Sequence, residues 1–194
     1  MALPEIPLFP LSTVLFPDGQ LQLRIFESRY LDMVRECARK DAPFGVCLIL
    51  EGEEVGAPAL PASVGTLARM VDFDALPRGL LGIRVCGGQR FRVVTSRVRD
   101  DGLVRATVRE WPTEPCLAVP PEFSLLATIV ERMVEQMGEV SVPRARYDDA
   151  SWIGFRLAEL LPLELGERQH LLELTDPMSR LATLRDALPR FQRD

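Results

Sequence analysis

The chain has 194 residues, 47% of them hydrophobic and 26% charged, enough material for one sizeable core or two small ones. Its 23 basic and 28 acidic residues leave a net charge of −5, which gives no overall attraction to nucleic acid or an anionic membrane. Four cysteines without a C-x-x-C pair exclude a zinc ribbon or a redox dithiol and predict reduced, mostly buried thiols in a cytoplasmic protein.

The opening segment, "LFPLSTVLFPDGQLQLRIFESRY" (8–30), is apolar enough to suggest a leader or a membrane span. Nothing basic precedes Arg24, however, and Pro4, Pro7, Pro10 and Pro17 break every apolar run, so it is expected to open a soluble fold. "PEIPLFP" and "STVLFP" read as short strands bounded by prolines, with a turn at Asp18-Gly19. "QLQLRIF" alternates strictly, Leu21, Leu23 and Ile25 on one face and Gln20, Gln22 and Arg24 on the other, which predicts a half-buried strand. From Glu27 to about Arg39 the period becomes helical, with Tyr30, Val34 and Cys37 on one stripe and cations at the end.

"FGVCLIL" and Val64–Phe73 are expected strands on either side of an acidic, Pro/Gly-rich loop. "LLGIRVCGGQRFRVV" reads as two strands about Gly87-Gly88, and "TSRVRDDGLVRATVREW" as a hairpin turning at Asp101-Gly102. Pro112, Pro115, Pro120 and Pro121 form a connector, beyond which the pattern is helical. Helices are expected over Phe123–Met137, from Asp148 or Asp149 to about Leu161, over "GERQHLLEL", and from an N-cap at Asp176 with Pro177 in the first turn. Strands first and helices second make an α+β chain, with a β-rich part at 1–115 and a helical part at 116–194.

Chemistry is limited by what the chain lacks. Lys40 is the only lysine and follows no glycine loop, so a P-loop is excluded, and a solvated lysine ending a helix is a poor partner for a serine nucleophile. His170 is the only histidine, it falls at the rim of an apolar helical stripe, and no G-x-S-x-G elbow accompanies it. One histidine excludes a multi-histidine metal site, and Glu51, Glu53 and Glu54 lack the alternating spacing of a calcium loop. No catalytic residue, metal or cofactor is therefore assigned. Arginines are dense between residues 78 and 109: Arg78, Arg84, Arg90, Arg92, Arg97, Arg99, Arg105 and Arg109. The bland reading is the solvent face of half-buried strands. The alternative is an RNA-binding face using Arg90, Arg92 and Arg105, although few aromatics accompany them for base stacking.

Four segments in order resemble one family. "IPLFPLSTVLFPDGQLQLRIFESRYLDMV", "VGTLARMVDF", "GGQRFRVV" and "LLPLELGERQHLLELTDPMSRLATL" are similar to the Lon N-terminal, substrate-binding domain, in particular its stand-alone bacterial form with an I-F-E-x-R-Y element. The resemblance implies a PUA-like β pseudo-barrel with one inserted helix, followed by a C-terminal helical bundle. It places residues 8–30 in the first strand pair and helix entry, with Phe26 packing inwards. It also implies a non-catalytic module that binds unfolded or extended polypeptide, by strand addition or in a groove, and acts with a separate protease or chaperone. Phe9, Leu11, Phe16 and Pro17 are the candidate peptide contacts, being apolar, near strand ends and flanked by proline.

Overall fold

The computed structural model describes residues 3–77, 80–138 and 142–191. The chain divides into two compact units, Met1–Pro112 and Thr113–Asp194. The first holds strands β1 (Glu5–Leu11), β2 (Gln20–Ile25), β3 (Phe44–Glu51), β4 (Leu60–Ala75), β5 (Leu81–Val98) and β6 (Val104–Glu110), with helix α1 (Ser28–Lys40) inserted after β2. The second holds α2 (Ser124–Gln136), α3 (Ala150–Leu160), α4 (Leu165–Glu173) and α5 (Pro177–Ala187), with short 3-10 turns before α2, before α3 and after α5.

The strands make one sheet in the order β2-β5-β4-β3-β1-β6, and β5 also pairs with β6. That additional ladder closes β5, β4, β3, β1 and β6 into a ring and leaves β2 outside it. Closure depends on β5 serving twice. Its first part pairs with β2 from Leu81 to Cys86, and its later part pairs with β6 from Phe91 to Val98. Gly87-Gly88 marks the change of role and is not the turn between two strands that the sequence suggests. Between the Thr66–Arg90 and Ala68–Gly87 pairs, Gly88 and Gln89 oppose Leu67 alone, a β-bulge. A Cβ at Gly87 would stand 2.1 Å from the Phe16 carbonyl oxygen, so only glycine allows that approach.

The "STVLFP" run is likewise no strand. Val14, Leu15 and Phe16 are all buried, yet none of them joins a ladder. The segment is held as a loop instead: the Thr66 hydroxyl donates to the Leu15 carbonyl at 2.6 Å, and Asp18 and Gly87 N–H groups donate to Gly87 and Gly19 carbonyls, each at 2.8 Å. β1 contains both Pro7 and Pro10. It tolerates them because Glu5–Pro7 carries the β6 ladder and Leu8–Leu11 the β3 ladder, so each half has one unpaired side.

Two apolar clusters result. Ile6, Leu8, Cys47, Leu67, Phe91, Val104, Ala106 and Val108 fill one of them. A Cβ at Gly45 or Gly65 would lie 2.6 or 2.8 Å from the Phe91 ring, so those glycines provide its space. In the other cluster α1 lays Tyr30, Met33, Val34 and Cys37 against Phe9, Phe44, Val46, Ile83 and Val85. Burial pushes the Cys37 thiol up to about 11 and the Cys47 thiol up to about 12, so both are inert at neutral pH. All four cysteines are free; Cys37 and Cys47 are buried, Cys86 is partly so and Cys116 is exposed.

Helices α3 and α5 start on the aspartates that the sequence predicts. Asp149 caps α3 by accepting from the Ser151 and Trp152 N–H groups, and Asp176 caps α5 by accepting from Ser179. Its interior is polar at one point. Arg180 is fully buried, stacks 3.8 Å over the Phe155 ring, and donates to Glu114 at 2.6 and 2.9 Å and to the Leu171 and Leu174 carbonyls. No helix among the described residues is long and apolar enough to cross a membrane.

Candidate polypeptide groove

A groove of about 350 Å³ opens beside β2, lined by Phe9, Leu11 and Thr13, by every residue from Gln22 to Glu27, and by Tyr30, Glu54 and Val55. Each piece has a local cause. Leu21, Leu23 and Ile25 lean onto the α1 cluster, as the alternation predicts, while Gln20, Gln22 and Arg24 face water. The next residue in that alternation, Phe26, therefore points outwards. It is 54% exposed, which corrects the inward placement expected from the sequence. The period-two pattern already carried the signal, since a strand with Ile25 inside has Phe26 outside.

The Glu27–Tyr30 stretch fixes the groove's wall. Arg29 is buried, pairs with Glu27 at 2.9 Å and donates to the Gly102 carbonyl at 3.1 Å, tying the helix entry to the β5–β6 turn. Tyr30 stacks on Phe9 with ring centroids 4.2 Å apart, and burial raises its hydroxyl above the ordinary tyrosine range. The acidic loop contributes the opposite rim: Glu54 accepts the Ser12 N–H at 2.6 Å, which holds Val55, 53% exposed, at the groove. Nothing in the composition of "EGEEVGAP" distinguishes this from a solvated loop.

Of the four apolar candidates, Phe9 and Leu11 line the groove, although both are largely buried. Phe16 is 1% exposed and has no surface to offer a ligand, because the clamped loop turns it into the core. Pro17 is half-buried and does not border the groove.

The arginines do not form one free strip. Arg97 and Arg105 converge on Glu5, at 2.9 and 3.1 Å, and the two guanidinium groups hold its carboxyl below the usual range. Arg90 is buried, 4.8 Å over the Trp111 ring, with exposed Arg92 5.6 Å from the same ring. Arg84 pairs with Asp72 and Arg99 with Asp101, and Arg78 lies outside the described residues. Lys40 pairs with Glu36 at the surface. His170 is exposed at the edge of a small cleft with Leu163, Leu171 and Leu184. Among the described residues no group of three or more His, Cys, Asp or Glu side chains is placed to hold a metal ion.

Comparison with known proteins places this geometry. The family model of the ATP-dependent protease La (LON) substrate-binding domain matches residues 5–190. The chain is 31% identical over 134 residues to a Lon protease of Solibacter usitatus, covering 65% of this chain and 16% of that protein. It is 29% identical over 191 residues to Lon protease 2 of Herpetosiphon aurantiacus, covering 93% and 23%. The chain thus spans less than a quarter of the curated relatives it matches. Among solved structures, a Lon N-terminal domain protein from Xanthomonas campestris superposes with a TM-score of 0.82 at 45% identity, over 95% of this chain and 98% of that one. The N-terminal domain of a Mycobacterium avium complex Lon protease shares the fold at a TM-score of 0.67 and 16% identity, over 94% and 97%. The α+β arrangement of a six-stranded sheet with helices is that of the Lon N-terminal domain, and the chain belongs to the Lon substrate-binding domain family.

Proposed function

We propose that this chain recognises polypeptide substrates in non-native, extended form, and that the groove beside β2 is where it holds them. On this reading the β-rich unit works as a PUA-like pseudo-barrel with one inserted helix, and the C-terminal helices form a separate bundle. Bound polypeptide is passed to a separate protease or chaperone. The observation that carries the reading is the combination of two exposed apolar side chains, Phe26 and Val55, over an aromatic floor of Phe9 and Tyr30. Large exposed apolar groups around a concave site mark an interaction surface. The family's substrate-binding role supports it. The engagement of Arg97 and Arg105 by Glu5, and the burial of Arg90, favour polypeptide over RNA.

The test is fluorescence anisotropy with labelled, reduced and carboxymethylated α-lactalbumin, a permanently unfolded polypeptide. The chain should bind this probe and not native α-lactalbumin, and Phe26→Asp should weaken binding about tenfold or more. Because Phe26 is mostly exposed, the variant's urea midpoint should stay close to that of the parent. Unchanged affinity in Phe26→Asp would remove the groove from the account.

A further inference from the structure

We infer that an extended segment of a polypeptide substrate joins the sheet as an additional strand along the free edge of β2. This deepens the reading above and rests on it.

Three observations converge. First, β2 is the end strand of the sheet, paired only with β5, so alternate residues direct their N–H and C=O groups away from the sheet. Second, the groove is bordered by four consecutive residues of β2, Gln22 to Ile25, and by Phe26 and Glu27 just beyond it. Side chains of successive strand residues point to opposite faces. A groove on one face would touch every second residue; one touching all of them follows the backbone edge.

Third, the edge is unprotected. Folded proteins blunt such edges with proline, bulges or charge. β2 has no proline, its six pairs with β5 run without a register shift, and its single charge is Arg24. The prolines of this region stand in β1 and in the loop before β2 instead. A regular, bare edge bordered by apolar side chains fits strand addition, in which main-chain hydrogen bonds supply affinity for any sequence and side-chain pockets select among them.

The charges narrow the substrate. Glu27 is neutralised by Arg29, and Glu54 is engaged by the Ser12 N–H. Arg24 is exposed and borders the groove. The favoured segment is therefore apolar at alternate positions, with an acidic residue beside Arg24.

Hydrogen exchange on the full chain, with and without saturating carboxymethylated α-lactalbumin, tests this. The probe should slow exchange of the outward amides among residues 20–25 about tenfold or more. Proline variants at Gln22 and Leu23 supply a second measurement. Successive residues direct their N–H groups to opposite sides, so one variant disrupts the β5 ladder while the other keeps the fold and loses affinity for the probe. Binding of the probe with unchanged β2 exchange, or full affinity in the folded proline variant, would overturn strand addition and leave substrate recognition standing. Failure of the probe to bind at all would overturn both. Protection that appears without probe as the protein is concentrated would assign the edge to a second copy and likewise overturn the inference.

Discussion

The two units solve opposite problems with their polar groups. The β-rich unit buries single arginines, Arg29 and Arg90, each beside an aromatic ring, gathers Arg97, Arg105 and Glu5 near its surface, and leaves backbone groups unpaired along β2. The helical unit takes a full ion pair inside: Arg180 has no exposed surface and the Glu114 side chain is 6% exposed, with the Ser151 hydroxyl also donating to that carboxylate. An open edge is a means of binding; a closed polar cluster is a means of specifying one packing. The contrast teaches that the unit carrying the groove need not be the more polar one, because backbone rather than charge supplies its unsatisfied groups.

The largest test of this contrast is Arg180→Ala. Removing one partner strands a buried carboxylate, so the helical unit should lose about 3–5 kcal/mol. The chain has two tryptophans, Trp111 in the first unit and Trp152 in the second, so Trp111→Phe and Trp152→Phe backgrounds report the units separately in urea denaturation. A loss visible at Trp152 with little change at Trp111 keeps the contrast; equal loss at both breaks it. Gly87→Ala is the complementary change. Its methyl group meets the Phe16 carbonyl, and the β-rich unit should lose about 1–3 kcal/mol, read at Trp111.

Asp176→Ala gives the smallest effect and a pH signature. Losing the cap should cost about 1 kcal/mol near neutrality. The Ser179 hydroxyl and N–H hold the Asp176 carboxyl below its ordinary value. A folded pKa below the unfolded one means the contribution is complete above the unfolded value and fades as pH falls through the folded one. The difference between parent and variant should therefore shrink below about pH 4. A constant difference across that range would assign the loss to something other than the carboxylate.

Local rules made most of the elements legible. Alternation in "QLQLRI" and Asp-led helix starts at Asp149 and Asp176 act over a few residues, and the fold keeps them. What escaped depends on distant partners. Gly87-Gly88 has turn chemistry, but β4 across it and the Phe16 carbonyl beside it make a bulge. "STVLFP" has strand composition, yet Thr66 holds it as a loop. In the groove, Phe9 could be named from sequence, whereas Val55 enters only because Glu54 reaches Ser12, 42 residues away. Phe26 was within reach of the same alternation that placed its neighbours.

The ring also sets an order of events during synthesis. β1 leaves the ribosome before the other strands of the ring, and one of its two partners is β6, with Glu5 opposite Thr107. For the time taken to translate roughly a hundred residues at about 5–20 per second, that apolar strand has a vacant side. Pro7 and Pro10, which look misplaced in a strand with neighbours on both sides, withhold N–H groups from any stray chain that would pair with it in the meantime. Pro7 and Pro10 thus guard the earliest strand of the ring until β6 arrives.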